Sequence, residues 1–211
     1  WISLFVGVIM TILGIKRMVR SLITVFLPNR EQDLVDIVYQ KRYLERGAKI
    51  VVIGGGTGLS VLLHGLKQYT SNLTAIVTVA DDGGSSGRLR DQFDVLPPGD
   101  IRNCLVALAD TEPLMSDLFQ FRFGEGSELK GHSFGNLFIT AMTKITGDFE
   151  KAIKASSQVL AIRGRVIPAT YKKVTLVAKY KDNSETAGEA SIPKRKSPIS
   201  RVYLRPDDCP P

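Results

Sequence analysis

KIVVIGGGTGLS, residues 49–60, decides the fold. The run 50–53 is apolar without interruption, as expected of a strand buried in a parallel sheet. Glycines fill 54–56 and 58, and LSVLLHGLKQY then sets Leu59, Leu62, Leu63 and Leu66 at helical spacing. Working outward, LTAIVTVA at 73–80 is a second strand rich in β-branched residues. Strand, glycine turn, helix and strand within about 30 residues make a βαβ unit, whose crossover is expected to be right-handed. The fold class is therefore α/β.

The glycine turn has a chemical consequence. Glycines between a strand and a helix let a ligand approach the backbone, and the first N–H groups of the helix have no internal partners. Such a place takes anions, most often phosphate, so Gly55, Gly56, Thr57 and Gly58 are candidate ligand contacts. The run is not GxGxxG, since Leu59 holds the third glycine place, and without GK[ST] it is not a Walker loop. Tight packing alone would also explain it.

DDGGSSGRLR at 81–90 follows the second strand, at the edge where open α/β sheets bind ligands. Asp81 and Asp82 suit ribose hydroxyls, and Asp82 is a candidate Mg²⁺ ligand beside phosphates. Ser85 and Ser86 offer hydroxyl donors, and Arg88 and Arg90 suit phosphate. The alternative is a solvated loop with Asp81 capping a helix. PPGDIRNCLVALA starts a further helix with Asp100 as its expected N-cap. Arg102 and Asn103 in its first turn either face the cleft or brace the preceding loop, and Cys104 reads as a buried small residue. GHSFGNLFITAM at 131–142 opens another helix, with His132, Ser133 and Asn136 near its start. His132 is a structural residue, a phosphate contact or a proton donor; no Ser–His–Asp arrangement can be argued from spacing. GDFEKAIKASSQVLAI is an amphipathic helix capped by Asp148.

After RGRVIPAT the period changes to two. VTLVAKY at 174–180, a DN turn and SETAGEASI make a hairpin, which RVYL at 201–204 extends. Lys194, Arg195 and Lys196 lie between prolines and read as a solvated loop.

The net charge of +7 sits in the flanks: residues 1–47 hold seven Lys/Arg against four Asp/Glu, 171–211 nine against five, and 48–170 twelve against twelve. A nucleic-acid binder would cluster its bases on the folded domain, so no nucleic-acid partner is expected. A hydrophobic fraction of 44% excludes a disordered chain. Two cysteines, Cys104 and Cys209, and two histidines leave no disulfide scaffold or zinc-type spacing.

WISLFVGVIMTILGI, residues 1–15, is uncharged, and Lys16, Arg17 and Arg20 follow it. Fifteen residues fall short of the about 20 that span a bilayer, and the chain opens on Trp, so this is expected to be an incomplete membrane anchor. The bases mark its cytoplasmic end; the alternative is a buried helix apolar all round. SLITVFLP would continue it along the interface, with Pro28 ending it, and EQDLVDIVYQKRYLER at 31–46 is a linking amphipathic helix with Leu34, Ile37 and Val38 on its apolar face and Tyr39 at the border of that face. The expected organisation is an anchor at 1–27, a linker helix at 28–47, a nucleotide-binding domain at 48–170 and a β-hairpin region at 171–211.

Five motifs in order, GGGTGLS, TVADDGGSSGRLR, LPPGDIRNCLVALAD, GHSFGNLF and RGRVIPAT, resemble the YvcK family, the gluconeogenesis factors of the wider CofD-like group. The resemblance covers about 42–208. It implies a bacterial protein that binds UDP-sugars such as UDP-N-acetylglucosamine and regulates central carbon flux, peptidoglycan precursor supply and cell shape, with no reaction attached. Carried over by motif, 55–58 face the nucleotide, Asp81 and Asp82 hold ribose or metal, and Ser85, Ser86, Arg88, Asn103, His132 and Asn136 line the cleft. The implied location is the cytoplasmic side of the inner membrane, with a homo-oligomer left open.

The resemblance also implies that family members continue past residue 211. An exposed sheet edge and weak ligand binding by these residues alone are expected. Two other functions stay open: a Mg²⁺-dependent CofD-like 2-phospholactate transferase, and an NAD-type dinucleotide-binding protein. The fold expected in full is a Rossmann-like parallel sheet with flanking helices, a C-terminal hairpin excursion and an N-terminal apolar helix.

Overall fold

The computed structural model describes residues 1–26, 34–110 and 113–208, with the side chains of 22–26, 34–38 and 40 outside the description. The expectations for Pro28 and Cys209, and for the apolar face at Leu34, Ile37 and Val38, lie outside it. The chain forms two compact units, Trp1–Glu45 and Arg46–Pro211.

In the first unit, helix α1 (Ile2–Phe26) runs through the three bases rather than stopping before them. Its stretch Ile2–Ser21 is 20 residues, long and apolar enough to cross a membrane, and none of it is buried in the chain. Helix α2 (Leu34–Glu45) carries Tyr39 and Tyr43 one turn apart, their rings stacked 6.4 Å between centroids.

The second unit is built on a parallel sheet. Strand β1 (Ile50–Gly54), helix α3 (Gly56–Leu66) and strand β2 (Leu73–Val77) are the expected βαβ unit, and Ile50 pairs with Leu73. Strand β2 stops at Val77, three residues before the expected end. The ladder closes there: Thr78 N–H bonds Gly54 O at 2.9 Å and Ala169 N–H bonds Val77 O at 2.8 Å. Between β2 and the next strand lie helices α4 (Gly84–Phe93), α5 (Gly99–Leu108), α6 (Pro113–Gln120), α7 (Phe134–Thr146) and α8 (Phe149–Val159). Strand β3 (Arg165–Pro168) then pairs parallel to β2, giving the order β1-β2-β3.

One sheet face is the core. Leu73, Ala75, Val77 and Val166 pack there against Leu63 of α3 and Leu105 of α5, all buried. Fully burying each of these leucine and valine side chains contributes about 1.5–3 kcal/mol. The other face carries Val51, 61% exposed, and Ile53, 73% exposed, in register with Thr74 and Ile76. The expectation of a fully buried strand at 50–53 is thereby corrected: β1 is covered on one face only, because the apolar run has helices packed against it from that side alone. On α3 the apolar spacing splits: Leu59 and Leu63 are buried, whereas Leu62 is exposed.

The C-terminal part is a second sheet of order β5-β4-β6, from β4 (Thr175–Tyr180), β5 (Glu185–Ala187) and β6 (Ile199–Arg205). The return strand ends early because Gly188 turns the chain, its N–H bonding Leu176 O at 2.8 Å. The basic loop is not simply solvated. Arg195 folds over the Tyr180 ring at 4.5 Å from the centroid and pairs with Asp182 at 3.0 Å. This excursion is tied to α4 through Arg90 donating to Thr175 Oγ1 at 3.3 Å and through a Lys173–Asp94 ion pair.

Candidate functional site

Four helices begin at one edge of the parallel sheet. Helix α3 starts straight after β1 through Gly55, whose extended backbone any residue can adopt, and Gly56, whose φ of +66° favours glycine. What confines Gly55 is space: a Cβ there would overlap Thr78 Oγ1 and stand 2.8 Å from Asp100 Oδ2. Thr57 and Gly58 are exposed in the first turn of α3.

The segment 81–90 is largely helix. Gly83 is the N-cap of α4, so Ser85, Ser86 and Gly87 lie in its first turn and are buried rather than displayed on a loop. A Cβ on Gly87 would overlap the Asp82 carbonyl, and one on Gly99 would overlap Ser86 Oγ and lie 3.3 Å from Asp81 Oδ2. The starts of α4 and α5 are therefore pressed together with Asp81 between them. Asp81 Oδ1 accepts from Gly83 N–H at 2.9 Å.

The expected cap of α5 is corrected. The helix begins at Gly99 with Pro98 as N-cap, and no side chain caps it. Asp100 reaches across instead and accepts the backbone N–H of Gly56 at the start of α3. Burial raises its carboxyl above the ordinary range, the Gly56 bond opposes this, and Asp81 adds to the rise. Since Asp81 borders Gly99 and Asp100 bonds Gly56, the glycine turn and the acidic segment share one edge.

Behind that edge is a buried polar network. Asn136 Nδ2 donates to Ser85 Oγ at 3.1 Å, and Ser85 Oγ lies 3.0 Å from His132 Nδ1. With Ser85 accepting from Asn136, its own O–H points to a neutral Nδ1. Burial lowers the His132 pKa, and Arg88 and Arg122 lower it further. Ser133 caps α7, accepting from Asn136 N–H at 3.3 Å and from Arg102 at 2.5 Å. Arg102 also donates to Asn103 Oδ1 at 2.6 Å, so this pair braces the site. Two buried atoms of the network, Asn136 Oδ1 and Arg102 Nε, have no partner among the described residues. Cys104, behind them, has its thiol pushed up to about 12 by burial and is inert.

The structure thus brings together Gly55, Gly56, Asp81, Ser85, Ser86, His132 and Asn136. Arg88 is exposed and donates to Lys130 O at 2.8 Å. Asp82 faces the excursion: its Oδ1 accepts from Ala190 N–H at 2.9 Å, and a Cβ on Gly188 would overlap its Oδ2. That contact delivers Glu189, a residue without any signal in the spacing of the chain. Partial burial, then Asp81, Asp100 and Asp82, hold its carboxyl above the usual range. Among the described residues no three His, Cys, Asp or Glu side chains gather to hold a metal ion. Mg²⁺ with a diphosphate needs only one or two protein carboxylates; the residues fit a cation arriving with its ligand rather than one bound beforehand. A cavity of about 750 Å³ lies elsewhere, between α8 and β3, and includes none of these residues.

Parallel strands ending in converging helix starts, lined by glycines and acids, define a Rossmann-like α/β domain. Residues 50–211 match the family described as 2-phospho-L-lactate transferase CofD, and the chain belongs to that family. Within it, the chain is 57% identical over 204 residues to a putative gluconeogenesis factor of Nostoc sp., covering 97% of this chain and 45% of that protein. It is 56% identical over 163 residues to the gluconeogenesis factor of Bacillus subtilis, covering 77% of this chain and 51% of the relative. A crystal structure of a Bacillus halodurans protein of the UPF0052 family superposes with a TM-score of 0.73 at 54% identity, covering 78% of this chain and 53% of that one. The chain spans about half the length of the curated relatives it matches.

Proposed function

We propose that the chain is a nucleotide-sugar-binding regulator, of the UDP-N-acetylglucosamine type, acting in central carbon metabolism. The observation that carries this is the meeting of the starts of α3, α4, α5 and α7 around Asp81, Asp100 and Ser85. Helix-start N–H groups and aligned dipoles favour a diphosphate there, and the nearby acids suit sugar hydroxyls or a cation carried on the phosphates. The name of the relatives, gluconeogenesis factor, supports a regulatory reading for this chain. Peptidoglycan supply and cell shape are the processes we assign to that regulation.

The second reading is a Mg²⁺-dependent transferase, favoured by the name of the matching family. Calorimetry against UDP-N-acetylglucosamine, GDP and NAD, with and without Mg²⁺, separates the two. Saturable UDP-sugar binding without product over long incubation is expected; binding of GDP alone, strictly with Mg²⁺, would favour the transferase. We further propose that α1 anchors the chain in the inner membrane with the domain on the cytoplasmic side, supported by the apolar, unburied stretch Ile2–Ser21. Release of the protein from membranes by alkaline carbonate would refute the anchor.

A further inference from the structure

We propose that Asp100 is an internal anion of the glycine turn: its carboxylate occupies the α3 N–H position that a ligand phosphate would take, so binding exchanges one anion for another and Asp100 sets which ligands succeed. The inference rests on the reading of this edge as a phosphate site.

Three observations carry it. First, Asp100 does not cap its own helix, where an acid near the start is usual, but spans to Gly56 N–H at the start of α3. Second, the turn is shaped around that carboxylate, since Asp100 Oδ2 would stand only 2.8 Å from a Cβ on Gly55. Third, the position is electrostatically crowded. Asp81 and Glu189 both act on Asp100 with like charge, whereas the Arg102 guanidinium opposes them. A carboxylate kept among acids by a helix start is held by the donors there, and those donors are what a phosphate would use.

The consequence is selectivity. A weakly charged anion gains little by displacing a carboxylate already in place. A diphosphate offers more charge and several oxygens, and a cation travelling with it would relieve the crowding of Asp81, Asp100 and Glu189 after displacement. Asp100 is thus a specificity-determining residue.

The test uses the full chain in detergent micelles, with pyrophosphate as probe and Mg²⁺ held constant. Asp100→Asn keeps an oxygen able to accept from Gly56 N–H but removes the charge that competes with phosphate. Pyrophosphate binding is expected to tighten about tenfold or more, and the preference for UDP-N-acetylglucosamine over inorganic phosphate to narrow. Equal affinity in both proteins would overturn the role of Asp100 while leaving the phosphate site standing. Weaker binding by the variant would overturn it too, marking Asp100 as a group that helps hold the ligand. Absence of binding by either protein to any of these probes would remove the site and the inference together. Should the variant fail to fold, nuclear magnetic resonance of the unaltered chain decides: pyrophosphate must shift both the Gly56 amide and the Asp100 carboxyl carbon. Shifts confined to other residues would refute the exchange.

Discussion

Gly55 and Gly58 sit three residues apart in the same turn, yet alanine should act on them with opposite sign. At Gly58 the added methyl meets nothing within 4 Å and the backbone is not left-handed. Alanine there removes the entropic cost of glycine in a helix and should stabilise the chain by up to about 1 kcal/mol. At Gly55 the methyl overlaps Thr78 Oγ1 and lies 2.8 Å from Asp100 Oδ2, where comfortable contact begins at about 3.5 Å. Exposed Thr78 can turn its hydroxyl away at small cost. Asp100 cannot retreat without loosening its bond to Gly56 N–H. Overpacking of this kind costs about 1–3 kcal/mol, and at this chain length each kcal/mol lowers Tm by about 2–4 °C. Gly55→Ala should therefore melt about 2–12 °C below the parent, while Gly58→Ala melts at or above it. Thr78→Ala placed in the Gly55→Ala background should recover only part of the loss, because the Asp100 contact remains. Thermal unfolding followed by circular dichroism gives all four values. Equal melting of the two single variants would show that the turn is not closed around Asp100 and Thr78.

Two further outcomes probe the network behind the turn. The His132 pKa is lowered in the folded chain from 6.5, so between that value and the folded pKa the unfolded chain binds more protons. Stability should accordingly be full above about pH 7 and fall as pH drops through 6.5. His132→Gln should flatten that slope, which urea unfolding at pH 5.5 and 7.5 would reveal. Asp148 accepts from Lys151 N–H at 2.8 Å as the cap of α8, so Asp148→Ala should cost about 1 kcal/mol without changing ligand affinity by calorimetry.

The parts legible in the sequence are those with a local signal. Apolar run, glycines and leucine spacing gave β1 and α3, and the Ser133 and Asp148 caps are placed by their distance from the apolar residues that follow. Strand β3 was hidden because four residues ending in Pro168 carry no periodicity of their own; they become a strand only by pairing with β2. Ser85 and Ser86 illustrate a different failure. Glycine and serine density reads as a donor-rich loop, but Gly84 adopts a φ of +50° and starts a helix that turns both serines inward. Asp100 was recognisable as a helix-start acid, and its helix was right; its partner was not, because a side chain that leaves its own helix for another leaves no trace in spacing. Glu189 had no signal at all, lying in a hairpin until Asp82 fixes the neighbouring backbone.

That last contact bears on why acids collect at an edge suited to anions. Four helix starts concentrate about half a positive charge each, and without compensation the edge would attract any small anion. Asp81 and Asp100 answer this from within, one turned to Gly83 N–H and the other to Gly56 N–H, so the donors are occupied yet not consumed. Asp82 spends its carboxylate differently, fastening the excursion and bringing Glu189 to the same edge. The excursion is thereby coupled to the site: a ligand or cation that draws Asp82 Oδ1 to itself breaks the bond to Ala190 N–H and loosens the 188–190 turn. Exchange of the Ala190 amide with deuterium should therefore quicken on addition of a ligand that takes Asp82 and stay unchanged for one that displaces Asp100 alone. Protection of Ala190 unaltered by every ligand that binds would mean that Asp82 serves the fold and not the site.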